Sequence, residues 1–208
     1  MRRQPDLATT DEVASRRKAD YDILPLFLNR WSPRAFTGEP IPDETLLAMF
    51  EAARWAPSCF NMQPWRFLYA RKDSEHWLRF LHLLIPYNQD WAKNASVLGV
   101  VVSKTLLERP NRDPVPAHSH SYDAGAAWMS LALQASKLGW AAHGMIGFDI
   151  ERTYLELHVP EHHRVEAAFA IGKPTTADVL PEALAAREHP SDRHSLENML
   201  LEGGFPKP

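Results

Sequence analysis

The sequence predicts a layered α+β or α/β domain. Segments with apolar residues at helical spacing alternate along the chain with short, continuous apolar runs of strand character. One such run, Ser96–Ser103, holds Val97, Leu98, Val100, Val101 and Val102 and reads as a strand buried on both faces. The 208 residues, 45% of them hydrophobic, suffice for one domain with a substantial core. Neither an internal repeat nor an interdomain linker interrupts them.

Residues 1–20 are polar and predict a flexible N-terminal arm. Ile23–Leu28 predicts a short helix closing near Asn29. A second helix starts at Ile41-Pro42-Asp43-Glu44, where proline and acids suit a first turn. Leu46, Met49, Phe50 and Ala53 give it an apolar face, and Pro57 ends it. Arg66–Ala70 predicts a strand and Glu75–Leu84 a helix. The Pro/Asp/Asn-rich stretch 109–116 predicts a loop over a site. Tyr122–Leu138 predicts a long helix stopped by Gly139, and its Ala124-Gly125-Ala126-Ala127 turn admits another backbone closely. Ala141–Phe148 and Val165–Ile171 predict two more strands around a helix at Glu151–Leu157. The proline-rich remainder, 175–208, has too few apolar residues for a core of its own.

A formal net charge of −3 gives no footprint for nucleic acid or an anionic membrane, so neither is an expected partner. No apolar run reaches the roughly 18 residues of a membrane-spanning helix, and the N-terminus lacks the apolar stretch of a secretory signal. Cys59 is alone, so no intrachain disulfide forms and a reducing, cytoplasmic setting is expected. His118-Ser119-His120 and His162-His163 lack the spacing and the companions of a metal site. They read as loop histidines, no metal is expected, and a place for His118 or His120 at the rim of a site stays open.

Two segments carry chemistry. In Arg30-Trp31-Ser32-Pro33-Arg34, proline favours an extended chain that puts Arg30, Ser32 and Arg34 on one face. Two guanidinium forks and a hydroxyl suit a phosphate, and a solvated basic loop is the alternative. Between Ala56 and Trp65, Ser58, Asn61 and Gln63 supply a hydroxyl and two carboxamides. Carboxamides both donate and accept, as the carbonyl, N–H, carbonyl edge of a flavin requires; an Asx-turn leading into a strand is the alternative. Gln63 precedes Pro64 and is expected to be extended. Cys59 is expected to be a small packed residue, with no neighbouring His or Lys to activate its thiol.

Taken in order, these segments resemble the FMN-dependent nitroreductase family. The carriers are Arg-x-Ser-x-Arg from Arg30, Ala-Pro-Ser-x-x-Asn-x-Gln-Pro-Trp-x-Phe from Ala56, Asn88, and the strand Ser96–Ser103. They continue through Asp123-Ala124-Gly125-Ala126-Ala127, Gly139 with Gly144-Met145-Ile146-Gly147-Phe148-Asp149, and Gly172-Lys173-Pro174, then Arg193 ahead of Leu196-Glu197. The resemblance runs over residues 21–205. It implies an α+β, three-layer α/β/α fold with a central mixed sheet, in a homodimer with FMN at the subunit interface. It divides the chain into a flexible arm, 1–20, an FMN-binding core, 21–174, and an extension, 175–208, that wraps the partner subunit and adds a strand to its sheet.

By position, the resemblance assigns Arg30, Ser32, Arg34 and Arg193 to the phosphate and ribityl chain, with Trp31 packed on the cofactor. Pro57, Ser58, Cys59, Asn61 and Gln63 would face the isoalloxazine from the other subunit, and Asn88 would reach its polar edge. The Gly144-Met145-Ile146-Gly147 backbone would lie along the ring, with the Ile146 and Gly147 N–H groups near N5 and O4. The implied reaction is ping-pong: NADH or NADPH reduces flavin N5, and a small nitroaromatic, quinone or other conjugated electrophile is reduced in turn. No catalytic nucleophile or base is required of the protein. Same-fold flavoproteins that fragment flavin or dehydrogenate a substrate, and a flavin-storage dimer, are the alternatives. Cys59, Phe60 and Met62 stand where Ser or Thr is frequent, implying a narrower, more hydrophobic pocket. Ser191 stands where Lys is common, weakening the phosphate grip, and Ile146 stands where one branch carries an acid.

Overall fold

The computed structural model describes residues 9–205. At its centre, β1 (Trp65–Arg71), β2 (Val97–Lys104), β5 (Ala141–Met145) and β6 (His163–Gly172) form a sheet in the order β1-β2-β6-β5. The apolar run of β2 is explained by its two faces. Leu98, Val100 and Val102 enter one core, and Val97 and Val101 enter another on the opposite side. Between them, a Cβ at Gly99 would lie 2.2 Å from the Phe169 ring and 2.7 Å from the Leu68 carbonyl, so glycine is required there.

Helices cover both faces. On one side lie α3 (Asp43–Arg54) and α6 (His120–Lys137), which bury Leu46, Met49 and Ala53 against Ala124, Ala127 and Leu131. On the other, α4 (Trp77–Leu83) and α5 (Pro86–Ala92) bury Trp77, Phe80 and Trp91, while α7 (Ile150–Glu156) packs against α4. The α+β class and the three layers are as expected. The sheet, however, is antiparallel throughout. Strands β2 and β5 run in the same direction, but β6 lies between them and opposes both, so among the described residues the mixed sheet expected from the resemblance does not form.

Other differences have local causes. The stretch expected as a loop is a hairpin, β3 (Leu106–Arg109) with β4 (Arg112–Pro116), turned at Pro110-Asn111 with Asn111 at φ 58°. Its prolines are tolerated because the pair forms a separate two-stranded sheet with free edges. Helix α5 was not among the expected elements; Pro86 sits in its first turn, where a missing N–H costs nothing. The described part of the arm is packed: α1 (Asp11–Ala14) is capped by Thr10 and buries Val13. Residues 1–8 lie outside the described residues. Downstream, α2 (Pro25–Asn29) begins on its proline.

The extension carries α8 (Glu182–Ala185) and borrows the main core, into which it inserts Leu180 and Leu184. Among the described residues no helix is long and apolar enough to cross a membrane. Leu184 is 4% exposed, so Leu184→Ala should cost about 2–4 kcal/mol of unfolding free energy in a urea titration. A loss within about 0.5 kcal/mol, as for a surface change, would mean that the extension is not docked.

Candidate functional site

The segment after α2 is pinned from two directions. The carboxylate of Glu188, in the extension, accepts from the Arg34 N–H at 2.5 Å and the Ala35 N–H at 2.7 Å. On the other side, Nδ1 of His143 on β5 donates to the Pro33 carbonyl at 2.9 Å. Thr37 N–H donates to Lys173 O and Thr175 N–H to Ala35 O, tying the segment to the chain beyond β6. These contacts fix Arg30, Trp31, Ser32 and Arg34 along a cleft of about 420 Å³, completed by Gly144 and Arg193. Six residues expected at the site therefore converge.

Sequence reasoning missed four other wall residues, Arg17, His143, Arg187 and His189; the remaining one, Ser191, stands where the resemblance expects a lysine of the phosphate grip. The cleft is strongly cationic, because five of its wall residues are arginines. Glu188 offsets part of this, with Oε2 3.6 Å from Arg34 Nη1. Burial, and then the charge of Arg193, hold Arg30 below its ordinary pKa. Arg30 Nη1 reaches Ser32 Oγ at 3.4 Å, while its Nε is buried with no hydrogen-bond partner among the described residues.

A second strip follows the end of β5. Ile146 is 85% exposed, and the carbonyl of Gly147 accepts from Ile85 N–H at 3.1 Å and from Asn88 Nδ2 at 2.9 Å. A Cβ on Gly147 would stand 2.5 Å from that same Nδ2, so glycine lets Asn88 hold the strip. Asn88 is buried and its Oδ1 accepts from Trp91 Nε1 at 3.3 Å. Its carboxamide thus serves the backbone rather than pointing into open space.

None of Pro57, Ser58, Cys59, Asn61 and Gln63 lines the cleft. They form an exposed loop held to the start of α6, where the buried Asp123 accepts from Cys59 N–H at 3.1 Å and Ser119 Oγ at 3.0 Å. Cys59 is exposed rather than packed. Gln63 is not extended: its φ is 49°, because its N–H closes onto Ser58 Oγ at 3.0 Å and its Nε2 onto Asn61 O at 3.1 Å. Phe60, at φ 51°, presents its ring to Arg109 of the hairpin, 5.2 Å from the centroid. Below the loop, a bulge in β6 leaves Glu166 without a partner residue on β2. Glu166 accepts from Ser103 Oγ at 2.5 Å and Ser121 Oγ at 2.7 Å, and His120 Nδ1 lies 2.7 Å from Ser103 Oγ. His120 is therefore an anchoring side chain in the first turn of α6, not a loop histidine.

A sequence profile of the nitroreductase family matches residues 28–85, which contain both chemical segments. A Rhodopseudomonas palustris protein, provisionally named NADH dehydrogenase/NAD(P)H nitroreductase, is 32% identical over 139 residues, 60% of this chain and 70% of that protein. This chain belongs to the nitroreductase family. Another relative, an NADH dehydrogenase of Thermus thermophilus, is 27% identical over 202 residues and covers 84% of this chain and 92% of its own length. Among solved structures, an oxidoreductase containing FMN superposes with a TM-score of 0.89 at 50% identity, covering 92% of this chain and 97% of that one.

The nitroreductase fold places His143 between the cleft and Trp91, whose ring lies 4.7 Å away. Burial holds the His143 imidazole below its ordinary pKa; the Pro33 hydrogen bond opposes this, and the Arg34 charge adds to it. The neutral form is favoured in the folded chain. Its contribution to stability is therefore full above the unfolded value of about 6.5 and lost as pH falls through the folded one. His143→Asn, which keeps a donor toward Pro33, should lose urea stability less steeply than the parent between about pH 7 and 5. Parallel curves for the two proteins would contradict this assignment.

Proposed function

We propose that the arginine-lined cleft holds FMN and that the chain acts, as a homodimer, as an NAD(P)H-dependent oxidoreductase on nitroaromatics, quinones or related conjugated electrophiles. One observation carries this reading: the bare, buried Nε of Arg30 in a cleft with five arginines. A phosphate monoester supplies what is missing there, acceptor oxygens for the donor and negative charge for the cations. The FMN-containing oxidoreductase of the same fold supports FMN as that monoester.

When bound, FMN would supply hydride-transfer chemistry that no side chain offers, taking reducing equivalents from a nicotinamide and giving them to an acceptor. The work of this chain is then to bind, orient and exclude water. Arg30, Ser32, Arg34 and Arg193 would hold the phosphate and ribityl chain, with Trp31 against them. The strip Gly144-Met145-Ile146-Gly147 would bring backbone close to the ring, held in register by Asn88. In this division the core, 21–174, supplies most of the cleft, and the extension, 175–208, closes it with Arg193. Pro57, Ser58, Cys59, Asn61 and Gln63 stand outside the cleft and exposed or half-buried, which suits a role at the cleft of a second copy. No group on the chain is assigned as nucleophile or base.

The purified protein should be yellow and bleach anaerobically on addition of NADH or NADPH. Arg30→Ala and Arg193→Ala should each weaken FMN binding by about 1.5–3 kcal/mol, roughly ten- to 150-fold, in a fluorescence-quenching titration. Unchanged affinity in the double variant would refute the placement. Asn61→Ala should leave FMN affinity within roughly threefold, since it removes no phosphate contact, yet shift the flavin potential measured by dye equilibration. A potential identical to the parent would remove Asn61 from the site.

A further inference from the structure

We propose that Arg17 is a positioning residue that latches the N-terminal arm to the C-terminal extension around the Arg30 segment, and that a phosphate monoester in the cleft holds this latch shut. The ligand class rests on the function proposed above; the latch itself rests on hydrogen bonds.

Arg17 is only 8% exposed. Its Nε donates to Ser191 O at 2.7 Å, and its Nη1 donates to Leu28 O at 2.6 Å and Arg30 O at 3.0 Å. One guanidinium thus joins three stretches of chain, one of them 174 residues away in sequence. The arm is fixed again upstream, where Thr10 N–H donates to Asn29 Oδ1 at 3.1 Å and Val13 is buried. On the other side, Arg193 Nη1 donates to the same Ser191 carbonyl at 3.2 Å and to Ser191 Oγ at 3.1 Å. Two arginines from opposite ends of the chain therefore meet on one neutral oxygen.

Carbonyls orient these guanidinium groups without neutralising them. Burial, then Arg193 and Arg30, hold Arg17 below its ordinary pKa, with Asp192 opposing. Closing the latch concentrates positive charge, which opposes closure when the cleft lacks an anion. A dianion between the same groups reverses the sign. By mass action, a ligand that binds only the latched form stabilises it, so arm and extension should tighten together on phosphate binding. Riboflavin, which lacks the phosphate, should not tighten them.

The test is hydrogen exchange on the full-length chain freed of flavin, alone and with saturating FMN, riboflavin or inorganic phosphate. FMN and inorganic phosphate should slow exchange in both 10–17 and 188–198, and riboflavin in neither. In Arg17→Ala, FMN affinity should fall about tenfold or more while riboflavin affinity stays within about twofold, and FMN should no longer protect 188–198. Arg17→Lys keeps the charge but not the fork and should not restore that protection. Equal losses for FMN and riboflavin, protection of one segment alone, or a variant matching the parent would each overturn the latch. The parent-protein comparison stands even where a variant does not fold. Closure by inorganic phosphate in a chain that binds neither flavin would sink the FMN reading and support the latch.

Discussion

Glu188 gives one carboxylate oxygen to the amides of Arg34 and Ala35 and sets the other beside the Arg34 guanidinium. That carboxylate is almost wholly buried, and it comes from the extension rather than the core. Through it the extension decides where the segment 30–35 lies, and so where Arg30 and Arg34 point. Arg17 acts on the same segment from the arm, through the carbonyls of Leu28 and Arg30. The cleft is therefore assembled by both ends of the chain gripping one short stretch. Arg17 and Arg193 are ordered by hydrogen bonds to backbone carbonyls, which leaves their charge free to act on a ligand, while Glu188 offsets part of the charge of Arg34.

The sheet sets the other wall. β5 pairs antiparallel with β6 from Ala141 to Met145, which places His143 toward Pro33 and Gly144 on the cleft. Where the pairing stops, Gly147 is handed to Asn88 and Ile85, so the strip beyond the strand is held by α5 and the residue before it. Between β2 and β6, the bulge at Glu166 gathers Ser103, Ser121 and His120 and seats the first turn of α6. Asp123 in that turn carries the loop 57–63. The same fold thus positions two sets of polar groups that the single chain keeps apart, as a site shared between two copies would require.

Much of this was legible in the amino-acid sequence. The valine-rich run of β2 announced its double burial because both of its neighbouring layers are apolar. The Arg-x-Ser-x-Arg spacing pointed to a shared face because an extended chain repeats every second residue, and Arg30, Ser32 and Arg34 do line one cleft. What failed to show had identifiable physics. Arg17 sits in an Arg-Arg-Lys run that looks like solvated tail, and only carbonyls distant in sequence reveal its burial. His143 left one signal, a lone polar side chain inside an apolar strand. Gln63 broke the rule for residues before proline by adopting the left-handed region, a choice made by Ser58 and Asn61 rather than by its own neighbour. The hairpin at 106–116 was hidden by prolines that an isolated two-stranded sheet can carry. For Ser191, where the resemblance led one to expect a lysine, the structure supplies Arg17 2.7 Å from its carbonyl.

If Arg30 Nε pairs with a phosphate oxygen of FMN, as we propose, a crystal structure of the chain grown with FMN will show the contact. That placement of FMN requires a phosphate oxygen within hydrogen-bond distance of the nitrogen, with Arg34 and Arg193 on the same group. FMN bound elsewhere, or in this cleft with Arg30 Nε still bare, would contradict it.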